Sequence, residues 1–432
     1  MLNPPRPLGS SGGSIAHLRE HNLSRILLAL ASGTPLSRSQ IAARTGLGIT
    51  AMTKLIAELR ERELAIEVPD TSPGAIGRPS HHIALADNRW STASLNLDNG
   101  AIHVATGGIA GEYDTSYSIR TPESLEIDEY MNYVAEALNH IASANAKEGK
   151  ELLALEVAVP GAVNRASGVM MRSILNGWSR PYPLRKVLLD LLQAINRGIA
   201  PTVLVGIDRA TNYSLLARLR DSPARTQTGT VAHLGGLYAV SGGIYSRSAL
   251  EHGSTGLAGE FGHFVVDPTG AQCWCGRRGC VETRIGLASL YTRCNGEHDS
   301  AVRLLPQLAL RHEHFVRQIL SRAEAGDELV LRELNEAGRW LGITVDTIAT
   351  IVNPGALLID GYLSALAKYL EPEMTRQLES VGPVPAISGL GIAFAEEPFT
   401  PVNRGMQIAA GLAVAMQPGA VRGPRNQAGK AR

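Results

Sequence analysis

The sequence has little cysteine, no long apolar run and almost no net charge. Four cysteines in 432 residues, three of them in a metal-binding pattern, argue against a secreted disulfide scaffold. No apolar run approaches the roughly 20 residues that span a bilayer. The opening residues, MLNPPRPLGSSGGS, lack the apolar core of a signal peptide and read as a flexible tail over 1–14. A formal charge of +1 argues neither for nor against nucleic acid. No repeat of solenoid type is present. What remains is a cytoplasmic chain of two or three domains with no membrane partner, whose 44% hydrophobic content is ample for a core.

The scarce cysteines are concentrated. Residues 253–282 read GSTGLAGEFGHFVVDPTGAQCWCGRRGCVE, and hold Cys273, Cys275 and Cys280, with His263 ten residues upstream of the first. Three thiolates and an imidazole are the closed, soft ligand set of structural zinc. Gly276 and Gly279 let the chain turn back so that the sulfurs can face one ion. Cys294 stands apart and suits a plain core thiol. Glu260 and Glu282 flank the ligands, so a bound ion would fix a polar wall and, with four protein ligands, leave no position for catalysis.

The run Ala258-Gly-Glu-Phe-Gly-His263, followed by Cys-x-Cys-Gly-x-x-Gly-Cys and Val-Glu282, resembles the ROK family of repressors, open reading frames and sugar kinases. The resemblance spans roughly residue 90 to the last helix near 415. It implies an α/β domain of two lobes with the actin/hexokinase-like (ribonuclease H-like) fold, over 87–416. The lobes divide as 87–200 plus 405–416, and 201–404. It also implies that His263 ligates zinc beside the sugar, that Glu260 and Glu282 bind sugar hydroxyls, and that Gly161 and Asp208 lie at the sugar. In kinases of the family the position of Asp208 is the general base. The family's Asn-Asp pair is Ile207-Asp208 here, and a lone strand-end aspartate also suits a salt bridge or a helix cap.

Two phosphate loops depart from the kinase pattern. Where Asp-x-Gly-Gly-Thr is expected, Asn96 replaces the aspartate and Asp98-Asn99-Gly100 the glycines and threonine. Where Gly-Thr-Gly-x-Gly is expected, residues 237–241 are Leu-Tyr-Ala-Val-Ser. A bulky Tyr238 obstructs the close backbone approach that a phosphate needs.

Residues 15–86 form a separate unit. An apolar helix ends at Ser32-Gly33, Ser37 caps a helix over 38–45, and a second helix runs from Thr50 to about Arg62 after Gly46-Leu47-Gly48. Alternating segments at 64–68 and 82–85 enclose a long turn. This resembles a winged helix-turn-helix, with a small helical interaction module as the alternative. Eight Lys/Arg against six Asp/Glu leave the unit at +2. Placement matters more: Glu58, Glu61, Glu63 and Glu67 fall away from the groove-facing start of the second helix. Ser37, Arg38, Ser39 and Gln40 are candidates for phosphates, and Thr50, Ala51, Thr53 and Lys54 for the major groove. Arg78 suits either a narrow minor groove or a solvated turn. Residues 417–432 read as a basic disordered tail.

Together these features point to a sugar-responsive regulator, a repressor of carbohydrate genes. It would be a homodimer or tetramer on a double-stranded operator, with a small sugar as effector and structural Zn2+. The alternative is an ATP-dependent sugar kinase carrying a DNA-binding domain.

Overall fold

Ser37 starts the amino-terminal unit's central helix by reciprocal bonding. Its hydroxyl accepts from the Gln40 backbone N–H, and the Gln40 side chain accepts from the Ser37 N–H, closing a capping box. In this computed structural model, residues 15–31, 33–69, 81–86, 88–174, 176–195, 197–221, 229–297, 301–380, 389–399 and 402–421 are described. Helix α1 (Ile15–Leu30) precedes α2 (Arg38–Thr45), which Gly46 ends at φ 65°, and α3 (Ile49–Glu61) follows. Met52, Leu55, Ile56 and Leu59 bury one face of α3. Strands β1 (Ala65–Pro69) and β2 (His81–Leu85) form an antiparallel ribbon. Three helices and a ribbon make a winged helix-turn-helix. The tip of the wing, with Arg78, lies outside the described residues.

This unit does not hang on a linker. Leu23, Ile26, Leu27 and Leu30 share one core with Trp90, Leu153, Ala200, Ala410 and Val414 of the following domain. Trp90 Nε1 donates to the Arg62 carbonyl at 3.1 Å, and Arg62 to the Pro418 carbonyl at 2.6 Å. The boundary expected at 86/87 is therefore a change of fold without a break in packing. The tail expected over 417–432 is corrected for residues 417–421, and the rest of it lies outside the described residues. Pro418–Ala420 form a 3-10 turn, and Pro418 and Val421 are buried against the head.

The first lobe runs through β3 (Trp90–Asp98), β4 (Ala101–Gly107), β5 (Tyr113–Arg120), α4 (Ile127–Glu148), β6 (Glu151–Val159), a small hairpin of β7 (Ala162–Asn164) and β8 (Val169–Arg172), α5 (Leu184–Ala194) and β9 (Ile199–Arg209). Its sheet order is β5-β4-β3-β6-β9. The expected division at 200 is corrected, because β9 pairs in parallel with β6 as far as Val159↔Arg209, and a cut at 200 would strip that ladder. Asp208 accordingly lies within β9 and not beyond it.

After α6 (Ala210–Asp221), the second lobe comprises β10 (Val231–Gly235), β11 (Ser241–Ser246), β12 (Ala249–Leu250), α7 (Val281–Ile285), α8 (Leu287–Cys294), α9 (Ala301–Glu324), α10 (Glu328–Val352), β13 (Ala356–Ile359), α11 (Gly361–Ala365), α12 (Ala367–Ser380) and β14 (Gly391–Phe394). Its order, β12-β11-β10-β13-β14, repeats the first sheet's arrangement of three antiparallel strands followed by two parallel ones. The two lobes are the related folds of an actin-like molecule. Helix α13 (Val402–Met416) returns to the first lobe, where Gln407 bonds Thr92 Oγ1 and the Ala105 carbonyl. Among the described residues no helix is long and apolar enough to cross a membrane.

Candidate functional site

The lobes face each other across a cleft of about 640 Å³, at the carboxyl ends of the sheet strands where α/β folds place ligands. Asn96, Asp98, Gly161, Arg172 and Arg209 line it from one side, and Tyr238, Glu260, His263 and Asp360 from the other.

The expected metal ligands converge. One ligand atom from each of His263, Cys273, Cys275 and Cys280 lies within 4.8 Å of all the others. Cys275 Sγ is 3.6 Å from Cys280 Sγ, and Cys273 Sγ is 3.8 Å from His263 Nδ1. Tetrahedral zinc with bonds of about 2.3 Å to sulfur needs ligand separations of about 3.8 Å, so the set fits a metal ion. Gly279 makes this possible: it adopts φ 65°, and a Cβ there would lie 1.4 Å from the Asp267 carbonyl. His263 Nε2 faces Glu260 at 4.0 Å, an outer carboxylate partner on the cleft side.

The expected sugar carboxylates are not equivalent. Glu260 lines the cleft, but the Arg209 guanidinium is ion-paired to it and also donates to the Ala258 carbonyl. Asp208 and Glu282 are 2% exposed and do not line the cleft. Asp208 accepts from His252 Nε2 at 2.7 Å and Asn212 Nδ2 at 2.7 Å, with Arg165 at 3.5 Å. Burial works against its charge, yet these partners more than offset it and hold the carboxyl below its usual range. Glu282 accepts from the Val240 N–H at 2.6 Å, and burial pushes it up to about 8. Of the five expected sugar contacts, Gly161, Glu260 and His263 are on the wall; the other two lie behind it.

Arg209, Arg165, Arg172 and His252 escaped the sequence reading. The first had a signal: a charged pair, Asp208-Arg209, closing the apolar strand Val203-Leu-Val-Gly-Ile207. The partners of that pair are distant in sequence and had none.

The β3–β4 and β10–β11 turns, whose sequences depart from the kinase pattern, present Asp98 and Tyr238 to the cleft. Asp98, at the β3–β4 turn, accepts from the Asn99 N–H at 2.8 Å, and burial raises its carboxyl to about 6. Tyr238, from the β10–β11 turn, is close enough to feel the Asp98 charge, and burial holds its phenol well above the ordinary value. The raised pKa of Asp98 has a stability consequence. The folded state holds this proton more tightly than the unfolded state, so stability falls as pH rises from about 4 through 6. Asp98→Asn removes that loss. Relative to the native protein, the variant is expected to gain about 2 kcal/mol between pH 4.5 and 7.5. Denaturant midpoints at the two pH values check this; an unchanged difference would contradict it.

On the head, Thr50, Ala51, Thr53 and Lys54 are exposed on α3, as is Ile49, which is 65% exposed at its first turn and was passed over in the sequence. The expected phosphate contacts are partly committed elsewhere. Ser37 and Gln40 are spent on the capping box, and Arg38 pairs with Glu67 of β1 at 2.6 Å. Glu67, expected to lie out of the way, instead draws on this face through the ribbon.

The sequence pattern of the ROK family matches residues 95–383. The DNA-binding transcriptional dual regulator NagC of Escherichia coli is 26% identical over 379 residues, 83% of this chain and 85% of that protein. A glucokinase of Halalkalibacterium halodurans is 26% identical over 302 residues, 68% of this chain and 86% of that enzyme. Among solved structures, a ROK family transcriptional regulator, described as a homologue of the Escherichia coli MLC protein, superposes with a TM-score of 0.75 at 19% identity, covering 94% of this chain and 99% of that one.

Proposed function

The chain belongs to the ROK family, and from that premise we propose that it is a cytoplasmic, sugar-responsive transcriptional regulator, acting as a repressor of carbohydrate genes. The observation that carries this reading is the union of two parts. A winged helix shares one continuous core with a lobe whose cleft has side chains, Asp98 and Tyr238, where a nucleotide's phosphates would lie. The expected phosphate loops are on this account degenerate. The glucokinase likeness and the retained Asp208 favour the kinase alternative, but Asp208 is bound by His252, Asn212 and Arg165 and is not presented to the cleft. A coupled ADP-release assay over hexoses, pentoses and amino sugars tests this. Background rates are expected, and turnover above them would overturn the proposal.

His263, Cys273, Cys275 and Cys280 would hold zinc, which supplies no chemistry beyond fixing the loop that carries Glu260. Sugar would sit against Glu260, His263 and Gly161, with Asp208 and Glu282 shaping the wall from behind. Two heads in a homodimer would hold the two halves of a pseudo-palindromic operator. The heads can respond because α6 starts immediately after Arg209 and packs on α13, which packs on α1. The effector shifts DNA binding only by its differential affinity for the two arrangements.

The tightest point of that stack is Gly405, where a Cβ would lie 1.8 Å from the Tyr213 carbonyl. Gly405→Ala must therefore part α13 from α6. A destabilisation of about 1–3 kcal/mol is expected, with sugar affinity kept within about threefold and sugar-dependent release of DNA lost. Normal release in operator titrations would refute the role of this contact.

A further inference from the structure

We infer that the cleft selects a sugar bearing an anionic group, a carboxylate or a phosphate ester, over the neutral parent sugar. The inference rests on the proposed sugar-responsive reading and narrows its effector.

A neutral sugar is held by acceptors for its hydroxyl protons, and the carboxylates expected to supply them here are engaged or out of reach. Glu260 is taken by Arg209. Asp208 is taken by His252, Asn212 and Arg165, and both Asp208 and Glu282 lie behind the wall. Asp360 lies 3.4 Å from Arg218 Nε. What the cleft presents instead is guanidinium. Arg209 is 3% exposed and lines the cleft, and its Nε is a buried donor with no acceptor among the described residues. Arg172 lines the same cleft, is exposed, and has no carboxylate partner among the described residues. Arg277 lines it too, but it donates to the His263 carbonyl at 3.3 Å and stands beside Cys275. Arg172 is near enough to act on the His263 imidazole, but its side chain forms no ion pair or hydrogen bond among the described residues. An arginine fork matches a carboxylate or phosphate with two parallel hydrogen bonds, which no sugar hydroxyl offers. The ligand's anion pairs with Arg172, and its oxygens compete with Glu260 for Arg209, which frees Glu260 for a ring hydroxyl.

The test is thermal stabilisation of the full-length protein by matched series. Glucose, glucuronate and glucose 6-phosphate form one series; the corresponding galactose, mannose and N-acetylglucosamine compounds form the others, with inorganic phosphate alone as control. One charged member is expected to bind at least tenfold tighter than its neutral parent, and the uronate and phosphate arms identify which anion. Arg172→Gln is expected to remove that tenfold preference with an unchanged ligand-free melting temperature. Arg209→Gln is expected to weaken charged ligands more than neutral ones, because it removes a guanidinium for which the anion competes and leaves the half-buried Glu260 charge beside it. Because Arg209 is buried and its variant risks misfolding, the exposed Arg172 variant decides the question. A neutral sugar that binds as tightly as its own charged counterparts, or an Arg172→Gln protein that keeps the preference, would overturn the inference while leaving the regulator reading intact. Stabilisation by inorganic phosphate equal to that by any sugar phosphate would also overturn it. No stabilisation by any sugar, charged or neutral, would instead remove the sugar-responsive reading itself.

Discussion

Cys280→Ser is expected to lower bound zinc from about one ion per chain to near zero and to cost the second lobe about 3–5 kcal/mol. Cys280 is fully buried at the start of α7, 3.6 Å from Cys275 Sγ. Its loop is also held by backbone hydrogen bonds, among them Val281 N–H to the Phe264 carbonyl, Val266 N–H to the Gly279 carbonyl and Gly279 N–H to the Ala271 carbonyl, and by the Arg284–Asp267 ion pair. A serine hydroxyl is a poor match for an ion held by soft ligands. Structural zinc in small domains contributes about 10–16 kcal/mol of apparent binding energy. Only part of that is exposed here, because α8 and α10 bury a large core of their own beside α7. Glu282, two residues on, would lose its fixed position against Val240. The same variant should therefore weaken the response to sugar while leaving the winged helix, built around α1 and α3, able to bind DNA. Metal analysis of the purified protein, with a melting curve before and after chelation, decides the matter. Full metal content with native melting would refute the site.

The second large effect is expected on the head. Lys54→Glu should weaken specific DNA binding at least 100-fold and flatten its salt dependence by about two phosphate contacts, since one cation is lost and one anion gained. Lys54 is exposed on α3 beside Thr50, Ala51 and Thr53, on the face opposite Leu55 and Ile56, and pairs with no carboxylate among the described residues. The substitution therefore leaves the core untouched. Lys147→Glu, on α4 of the first lobe and also exposed, is the control and should have no such effect. Equal losses in the two variants would mean that only net charge matters and that α3 is not the reading helix.

Much of this was legible in the sequence wherever a local rule operated. Helix α2 begins at Arg38 as expected because Ser37 and Gln40 cap it, and α10 keeps to Glu328–Val352 by the same kind of rule, since Asp327 accepts from Leu329 and Val330 at one end and Asn353 turns left-handed at the other. The metal set was legible because its ligands fall within eighteen residues. Elements buried or exposed on both sides were not. Helix α6 hides Asn212, Tyr213, Leu215, Leu216, Ala217 and Leu219 between α13 and β11 and so shows no clean apolar stripe, and β5 is a largely exposed polar edge strand. Pairings across the fold were silent altogether. Nothing in the spacing announces that Arg209 will pair with Glu260, or His252 with Asp208, or that the head will share a core with α13. Those silent pairings hold Asp208 behind the cleft wall and put the Arg209 guanidinium into it.

The central claim is that the head reads DNA and the cleft controls it. It is tested most directly by titrating the full-length protein, at physiological salt, onto DNA from upstream of its own gene and onto random DNA of equal length, with and without the sugar that stabilises it most. The account predicts upstream binding at least 1,000-fold tighter than random, and at least tenfold weaker once the sugar is present. Equal affinity for both DNAs, unchanged by any sugar, would contradict it.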